Sequence, residues 1–324
     1  QEGLNLYFST AARGRDGVLT ENELRAALGG YRNGQGDGPR GTPTIDGDRV
    51  YAEGGNGDLT CLDLNTGKTL WHVHLVTDLG GGRPGWGYSE SPLIEGGWVI
   101  DTPGGKKGTM AALAKQTGKV VWQSADQQEN AHYASPIVAD INGTRQVVQM
   151  ARESCFGLNL ADGKLLWRYT NANNGTANCA TPIVLDNHVF ASSAYGTGGG
   201  LAKIVPADNA QQAEEVYFEK KLANHHGGIV LVDNHLYGFG SGLICMDMLS
   251  GDIAWTARRV RKASLVVAAG MLDLLCESHE VALAEATPEE YREHGRFKIE
   301  SHGRPSWAHP VVAGGVLYIR NQHS

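Results

Sequence analysis

One thirty-residue sentence, repeated with variations, dictates what this chain can fold into. Its clearest copy is residues 42–71, TPTIDGDRVYAEGGNGDLTCLDLNTGKTLW. A proline leads an apolar run, Asp46-Gly47 makes a tight turn, and a strand follows around Val50-Tyr51. A Gly-rich turn, a strand ending at Asp63, an Asn-Thr-Gly-Lys turn and a strand closing on Trp71 complete it. That reads as four short antiparallel strands in a meander, each turn carrying the residue its backbone requires.

The register recurs down the chain. A leading residue and a position eight further on repeat in Pro43/Tyr51, Pro92/Ile100, Pro182/Phe190, Ile229/Tyr237, Leu265/Asp273 and Pro310/Tyr318. The unit led by Pro136 carries an insertion at Asn142-Gly143-Thr144-Arg145. Units close on Trp71, Trp122, Trp167, Phe218, Trp255 and Phe297. Glycine recurs in the turns before them, at Gly67, Gly118, Gly163 and Gly251, where a hairpin of this length demands a positive φ. The fourth unit has a polar loop over 206–215 in place of that turn, and the sixth has Thr287-Pro288-Glu289-Glu290.

Four-stranded units at a period of roughly 40 to 50 residues predict an all-β fold, a β-propeller of about seven four-stranded blades. A lone sheet buries too little, so the closing aromatic is read as a wedge between blades. Six units are complete and a seventh has two strands before Ser324. An open edge invites pairing, so residues 4–8 are expected to complete that blade. The domain reading is an N-terminal segment, 1–40, followed by the propeller, 41–324.

The N-terminal segment contains Asp16-Gly17-Val18-Leu19-Thr20 leading to Glu23, the spacing of the second half of an EF-hand loop. Asp16 and Glu23 would be the calcium ligands and 21–28 a short exiting helix. Ala12 and Gly14 stand where further carboxylates are needed, so little calcium affinity is expected. The other reading is a plain helix capped by Thr20 and Glu23.

Composition excludes some classes. A net charge of -7 and a pI near 5.9 argue against nucleic acid, which needs a basic face. No apolar run reaches the length of a bilayer span, so no transmembrane segment is expected. Cys61 and Cys245 fill the same repeat slot, and all 5 cysteines are read as unpaired and structural.

The Asp-x-x-Thr-Gly-Lys-x-x-Trp pattern of 63–71, degraded in 114–122 and 159–167, resembles the pyrroloquinoline-quinone-type propeller repeat. That resemblance covers residue 38 to the C-terminus. It implies two subgroups: quinoprotein alcohol dehydrogenases, holding the quinone and calcium on the axis, and outer-membrane assembly lipoproteins, which act as protein scaffolds. The dehydrogenases carry a vicinal cysteine pair, and no two cysteines here are adjacent. It further implies export, to the periplasm or beyond the cell. Trp86, Trp98 and Trp307 are able to stack on a planar ring, though packing is the simpler role.

In a propeller, residues just upstream of each leader line one mouth of the channel. Four positions before the leaders stand Tyr88, His132, Asn178, His225, Arg261 and Ser306, with Arg40, Glu90, Tyr133, His226 and His309 close by. Three readings stay open. His132, His225 and His226 would ligate a transition metal, with Glu90 or Asn178 adding oxygen. Alternatively the same ring, with Arg40 or Arg261, would bind a polar small molecule. Or it is a water-filled funnel of satisfied side chains. The functional expectation is a non-enzymatic, monomeric binding scaffold for a protein partner or polar ligand at this His-rich mouth. The alternatives are an oxidoreductase using pyrroloquinoline quinone or a metal, and a saccharide- or polymer-binding module.

Overall fold

The structure, a computed structural model, describes residues 40–208, 210–300 and 306–320. The EF-hand-like loop with Asp16 and Glu23, the helix 21–28 and the closing strand 4–8 lie outside them, and the expected domain boundary at 40 lies at their edge.

Among the described residues the elements are all strands, in six four-stranded antiparallel sheets and one two-stranded sheet. The first sheet runs β1 (Thr44–Asp46), β2 (Arg49–Glu53), β3 (Asp58–Asp63) and β4 (Thr69–His74), in chain order. The second repeats it with β5 (Leu93–Glu95), β6 (Trp98–Asp101), β7 (Ala111–Ala114) and β8 (Val120–Gln123). These are the blades that the repeat predicts. The described residues divide into two compact units, one within 40–140 and 144–166, the other within 141–143 and 167–320.

The eight-residue register has a simple origin. Thr44 pairs with Tyr51, Leu93 with Ile100, Ile183 with Phe190 and Val230 with Tyr237, each pair closing on a two-residue turn. The first central residue of each turn has positive φ, Gly47 (60°), Gly96 (55°), Asp186 (52°) and Asp233 (45°), and in the last Asn234 (64°) follows it, geometries whose twist matches the flanking strands. The insertion in the third sheet lengthens no loop. Its hairpin still turns on two residues, Asn142 (φ 50°) and Gly143 (φ 73°), between strands Ile137–Ile141 and Thr144–Met150. Likewise, 206–215 is not a loop. Strands Gly198–Ala207 and Ala210–Glu219 pair along it, with Pro206 opposite Gln211.

Within the first unit, period-two alternation sends one face of each strand to each neighbour. Tyr51, Leu59, Cys61 and Trp71 of the first sheet pack on Val99, Ala111 and Leu113 of the second. Ile100, Met110, Ala112 and Trp122 then face Val147, Phe156 and Leu158 of the third. In the second unit, Phe190 and Leu201 pack with Leu236, Ile244 and Met246, while Tyr237 and Cys245 pack with Leu265, Leu272 and Leu274. All five cysteines are unpaired, four of them buried.

The closing aromatic is set by a bulge that shifts register between Cys61 and Leu62, so that Cys61 faces Trp71 while Leu62 faces Thr69. The shift recurs at Ala112/Leu113, Leu201/Ala202, Cys245/Met246 and Leu283/Ala284. It re-aims the next side chain at the neighbouring sheet. Trp71 Nε1 donates to the Lys115 carbonyl at 2.9 Å, Trp122 Nε1 to Leu160 and Trp255 Nε1 to Thr287. In the fourth sheet the slot belongs to Tyr217, not Phe218: its hydroxyl donates to the Met248 carbonyl at 2.7 Å. In the sixth sheet Gly295 occupies the slot, opposite Leu283, and Phe297 is left 54% exposed.

The turn glycines answer a second demand. A Cβ on Gly118 would stand 2.9 Å from the Trp71 ring, one on Gly163 2.5 Å from Trp122, and one on Gly251 2.9 Å from Tyr217. Gly47 also has positive φ, yet nothing lies within 4 Å of its Cβ position. Gly47→Ala should therefore cost only the left-handed strain, about 1–2 kcal/mol. Gly118→Ala should cost roughly a further 1–3 kcal/mol of overpacking against Trp71. Urea midpoints of the two variants measure the difference, and equal midpoints would contradict a wedge seated on Gly118.

Candidate functional site

The residues upstream of the leaders fall into two groups, one in each unit. In the first unit, residues 75–92 connect β4 to β5 and bring Trp86, Tyr88 and Glu90 to the strand ends. Tyr88 is buried and its hydroxyl donates to the Pro103 carbonyl at 2.7 Å. Arg40 Nη1 donates to the Trp86 carbonyl at 2.8 Å, and the Trp86 amide donates to the Tyr133 hydroxyl at 3.3 Å. The Trp86 and Tyr133 rings lie 5.7 Å apart, and His132 stacks on Tyr133 at 5.1 Å. Burial, then the Arg152 charge, pushes the His132 pKa down to about 4, so its imidazole is neutral at pH 7.

Glu90 turns inward. Its Oε1 accepts the Thr102 amide at 2.7 Å, and its Oε2 accepts Gln149 Nε2 at 3.2 Å. Beside it lie Asp101, ending β6, and Glu53, ending β2; one oxygen from each of the three carboxylates lies within 4.8 Å of the others. Burial, reinforced by the neighbouring carboxylates, raises the pKa values of Glu53 and Glu90, and burial pushes Asp101 up to about 7. Sequence reasoning reached Glu90 alone. Its partners carry a legible signal: Glu53 continues the inward phase of Tyr51, and Asp101 that of Val99, so carboxylates stand where the alternation calls for apolar residues.

In the second unit the centre is His225-His226, carried before the leader Ile229. His225 Nε2 lies 2.9 Å from the Tyr195 hydroxyl. His226 Nε2 meets Glu277 Oε1 at 3.0 Å, and Trp307 Nε1 donates to the same oxygen at 2.8 Å. These bonds push the Glu277 pKa down to about 2, the one from His226 first, against an opposing effect of burial. His309 Nε2 lies 3.1 Å from the His226 carbonyl and so donates to it. The two adjacent imidazoles meet edge to face at 5.3 Å, and the Nδ1 atom of each is buried without a protein partner. Burial, then Lys262 and His226, pushes the His225 pKa down to about 4.

The remaining expected residues have other settings. Asn178 is buried, and its side-chain oxygen accepts the Asn174 amide at 2.9 Å, a turn-holding role. Arg261 is exposed, and Ser306 is buried. Tyr195, Glu277 and Trp307 join the histidines from outside the leader register, which is why counting back from leaders missed Tyr195 and Glu277.

The sequence profile of outer membrane protein assembly factor BamB matches residues 17–257. The chain belongs to the BamB family. A BamB of Kangiella koreensis is 30% identical over 157 residues, covering 48% of this chain and 35% of the relative. A BamB of Yersinia pestis is 23% identical over 268 residues, covering 74% and 62%. The chain thus spans less than two thirds of the length of these relatives. The crystal structure of BamB from Moraxella catarrhalis superposes with a TM-score of 0.64 at 17% identity, covering 90% of this chain and 82% of that one. The shared fold is the β-propeller, and the quinone-type repeat read from the sequence is the repeat of this family. Pyrroloquinoline quinone is itself a tricarboxylate. Glu53, Glu90 and Asp101 offer it only like charge, so that cluster does not fit it.

The histidine pKa values make a pH prediction. His132 and His225 hold their protons near pH 4 when folded and near the usual 6.5 when unfolded. Between those values the unfolded chain binds more protons, so their contribution is complete above pH 6.5 and disappears as pH falls towards 4. Urea midpoints followed from pH 7 to 4.5 should fall less steeply in His225→Asn than in the unaltered chain. Parallel curves would show that the His225 environment has no such effect.

Proposed function

We propose that the chain is a non-enzymatic scaffold in the assembly of outer membrane proteins, working on the periplasmic side and holding a protein partner through its leader loops. Membership of the BamB family supports the role, since its relatives are named as assembly factors. The observation that carries the binding surface is that its exposed aromatics are already held in place. Tyr195 is 54% exposed while its hydroxyl engages His225, and Trp86 is 36% exposed while its ring packs 5.7 Å from that of Tyr133. Aromatic side chains fixed before docking lose little rotamer freedom on binding, and they dominate interface energetics. The imidazoles of His225, His226 and His309 supply further polar groups in the unit that carries Tyr195, suited to backbone amides and carbonyls of a partner.

The test is genetic and biochemical together. In the native host, loss of the chain should lower the amount of folded β-barrel protein in the outer membrane, measured by quantitative mass spectrometry. Supplying the unaltered chain should restore it. A Trp86→Ala/Tyr195→Ala variant, folded by circular dichroism, should restore it several-fold less well. Unchanged β-barrel content on loss of the chain would remove the assembly role. Full restoration by the double variant would instead move the partner surface elsewhere.

A further inference from the structure

The interior of the first unit holds a carboxylate with nothing to balance it. Glu53 is 4% exposed, and neither of its oxygens has a hydrogen-bond partner; Asp101 Oδ2, also buried, has none either. Elsewhere in the same unit the fold satisfies a buried carboxylate fully. Glu129 accepts from the Glu153 and Ser154 amides, from Ser154 Oγ and from Gln127 Nε2. The contrast is chemical. Glu129 is surrounded by donors, whereas Glu53 is aimed at two more carboxylates, and removing a charge from water without a partner is strongly unfavourable.

The neighbours are arranged to leave lone pairs pointing inward. The Thr102 amide holds Glu90 Oε1 at 2.7 Å and Asp101 Oδ1 at 2.8 Å. Gln149 Nε2 fixes Glu90 Oε2 at 3.2 Å and reaches Thr102 Oγ1 and the Ala134 carbonyl as well. Glu53 Oε1 and Oε2 and Asp101 Oδ2 stay available. Two side chains from two sheets and a third from the loop between them converge, braced by a glutamine from the third sheet.

We propose that Glu53, Glu90 and Asp101 form a closed structural site for one hard divalent cation of the Ca²⁺ type. The donor set is oxygen alone, which suits Ca²⁺, Mg²⁺ or Mn²⁺ rather than metals that prefer sulfur or imidazole. One oxygen from each carboxylate lies within 4.8 Å of the others, close enough for all three to reach a single ion at Ca–O distances of about 2.4 Å. Mg²⁺ keeps several of its waters, which three nearly buried carboxylates disfavour. The ion would join the end of β2, the loop entering β5 and the end of β6, so it would clamp the first sheet to the second.

Calorimetric titration of the chelator-treated full chain with CaCl2, MgCl2 and MnCl2 tests this, together with thermal unfolding. The expected result is uptake of about one Ca²⁺ per chain and a raised melting temperature, as for any ligand bound only by the folded state. Gln149→Ala should weaken uptake about 10- to 100-fold, the usual effect of losing an outer-shell partner. The isosteric Glu53→Gln/Asp101→Asn variant should lose uptake, while its metal-free form melts no lower than the metal-free parent because the repulsion is gone. Absence of uptake of all three ions by the parent would overturn the proposal and leave a cluster balanced by shared protons. Uptake undiminished in the double amide variant would overturn it too, by placing the ion elsewhere.

Discussion

The architecture depends on one contact made repeatedly: an aromatic side chain at the edge of one sheet hydrogen-bonds a turn carbonyl of the next, its ring resting on that turn's glycine. Trp71 on Lys115 and Gly118, Trp122 on Leu160 and Gly163, and Tyr217 on Met248 and Gly251 are three instances of it. The contact joins an apolar surface to a directional bond, so neighbouring sheets gain both burial and a fixed register. It also accounts for the motif. Asp63 Oδ1 accepts the Asn65 and Thr66 amides and the Thr66 hydroxyl, shaping the tight turn, and Asp247 repeats this with Leu249 and Ser250. In the Trp71 and Tyr217 contacts the glycine-bearing turn receives the preceding aromatic and is followed, in its own sheet, by the strand that sends out the next one, Trp122 and Trp255.

Strand order, hairpin type and the inward faces were legible because each depends on neighbours a few residues away. What escaped was whatever depended on a pairing offset. Phe218 and Phe297 stand where a count along the chain puts the wedge, but the bulge decides which residue points outward, and it selects Tyr217 and Gly295. The polar stretch 206–215 reads as a loop by composition and is a pair of strands, in which exposure alternates along 210–214 with one face in water. Of the candidate site, His225, His226 and His309 were reached by register and do share one hydrogen-bonded cluster. Glu277, which sets the orientation of His226, comes from a different sheet and has no local signature.

The two groups treat buried polarity in opposite ways. Around His226 the carboxylate is matched, by an imidazole and an indole N–H, and its pKa falls accordingly. Around Glu53 like charges face one another, and burial drives their pKa values up. The first arrangement fixes side chains beside exposed aromatics; the second lies deep between sheets, beyond the reach of a macromolecule.

The insertion in the third sheet shows how this scaffold tolerates change in chain length. Compared with the first sheet, two residues enter each arm of the hairpin, so every inward side chain keeps its face, and the tip carries Asn142 far enough for its Nδ2 to reach the Ile204 carbonyl at 2.8 Å. One residue per arm would have put a non-hydrogen-bonded pair next to the turn and called for a wider loop. A peptide grafted at this tip in steps of two residues per arm therefore keeps the two-residue turn and leaves the apolar surface undisturbed.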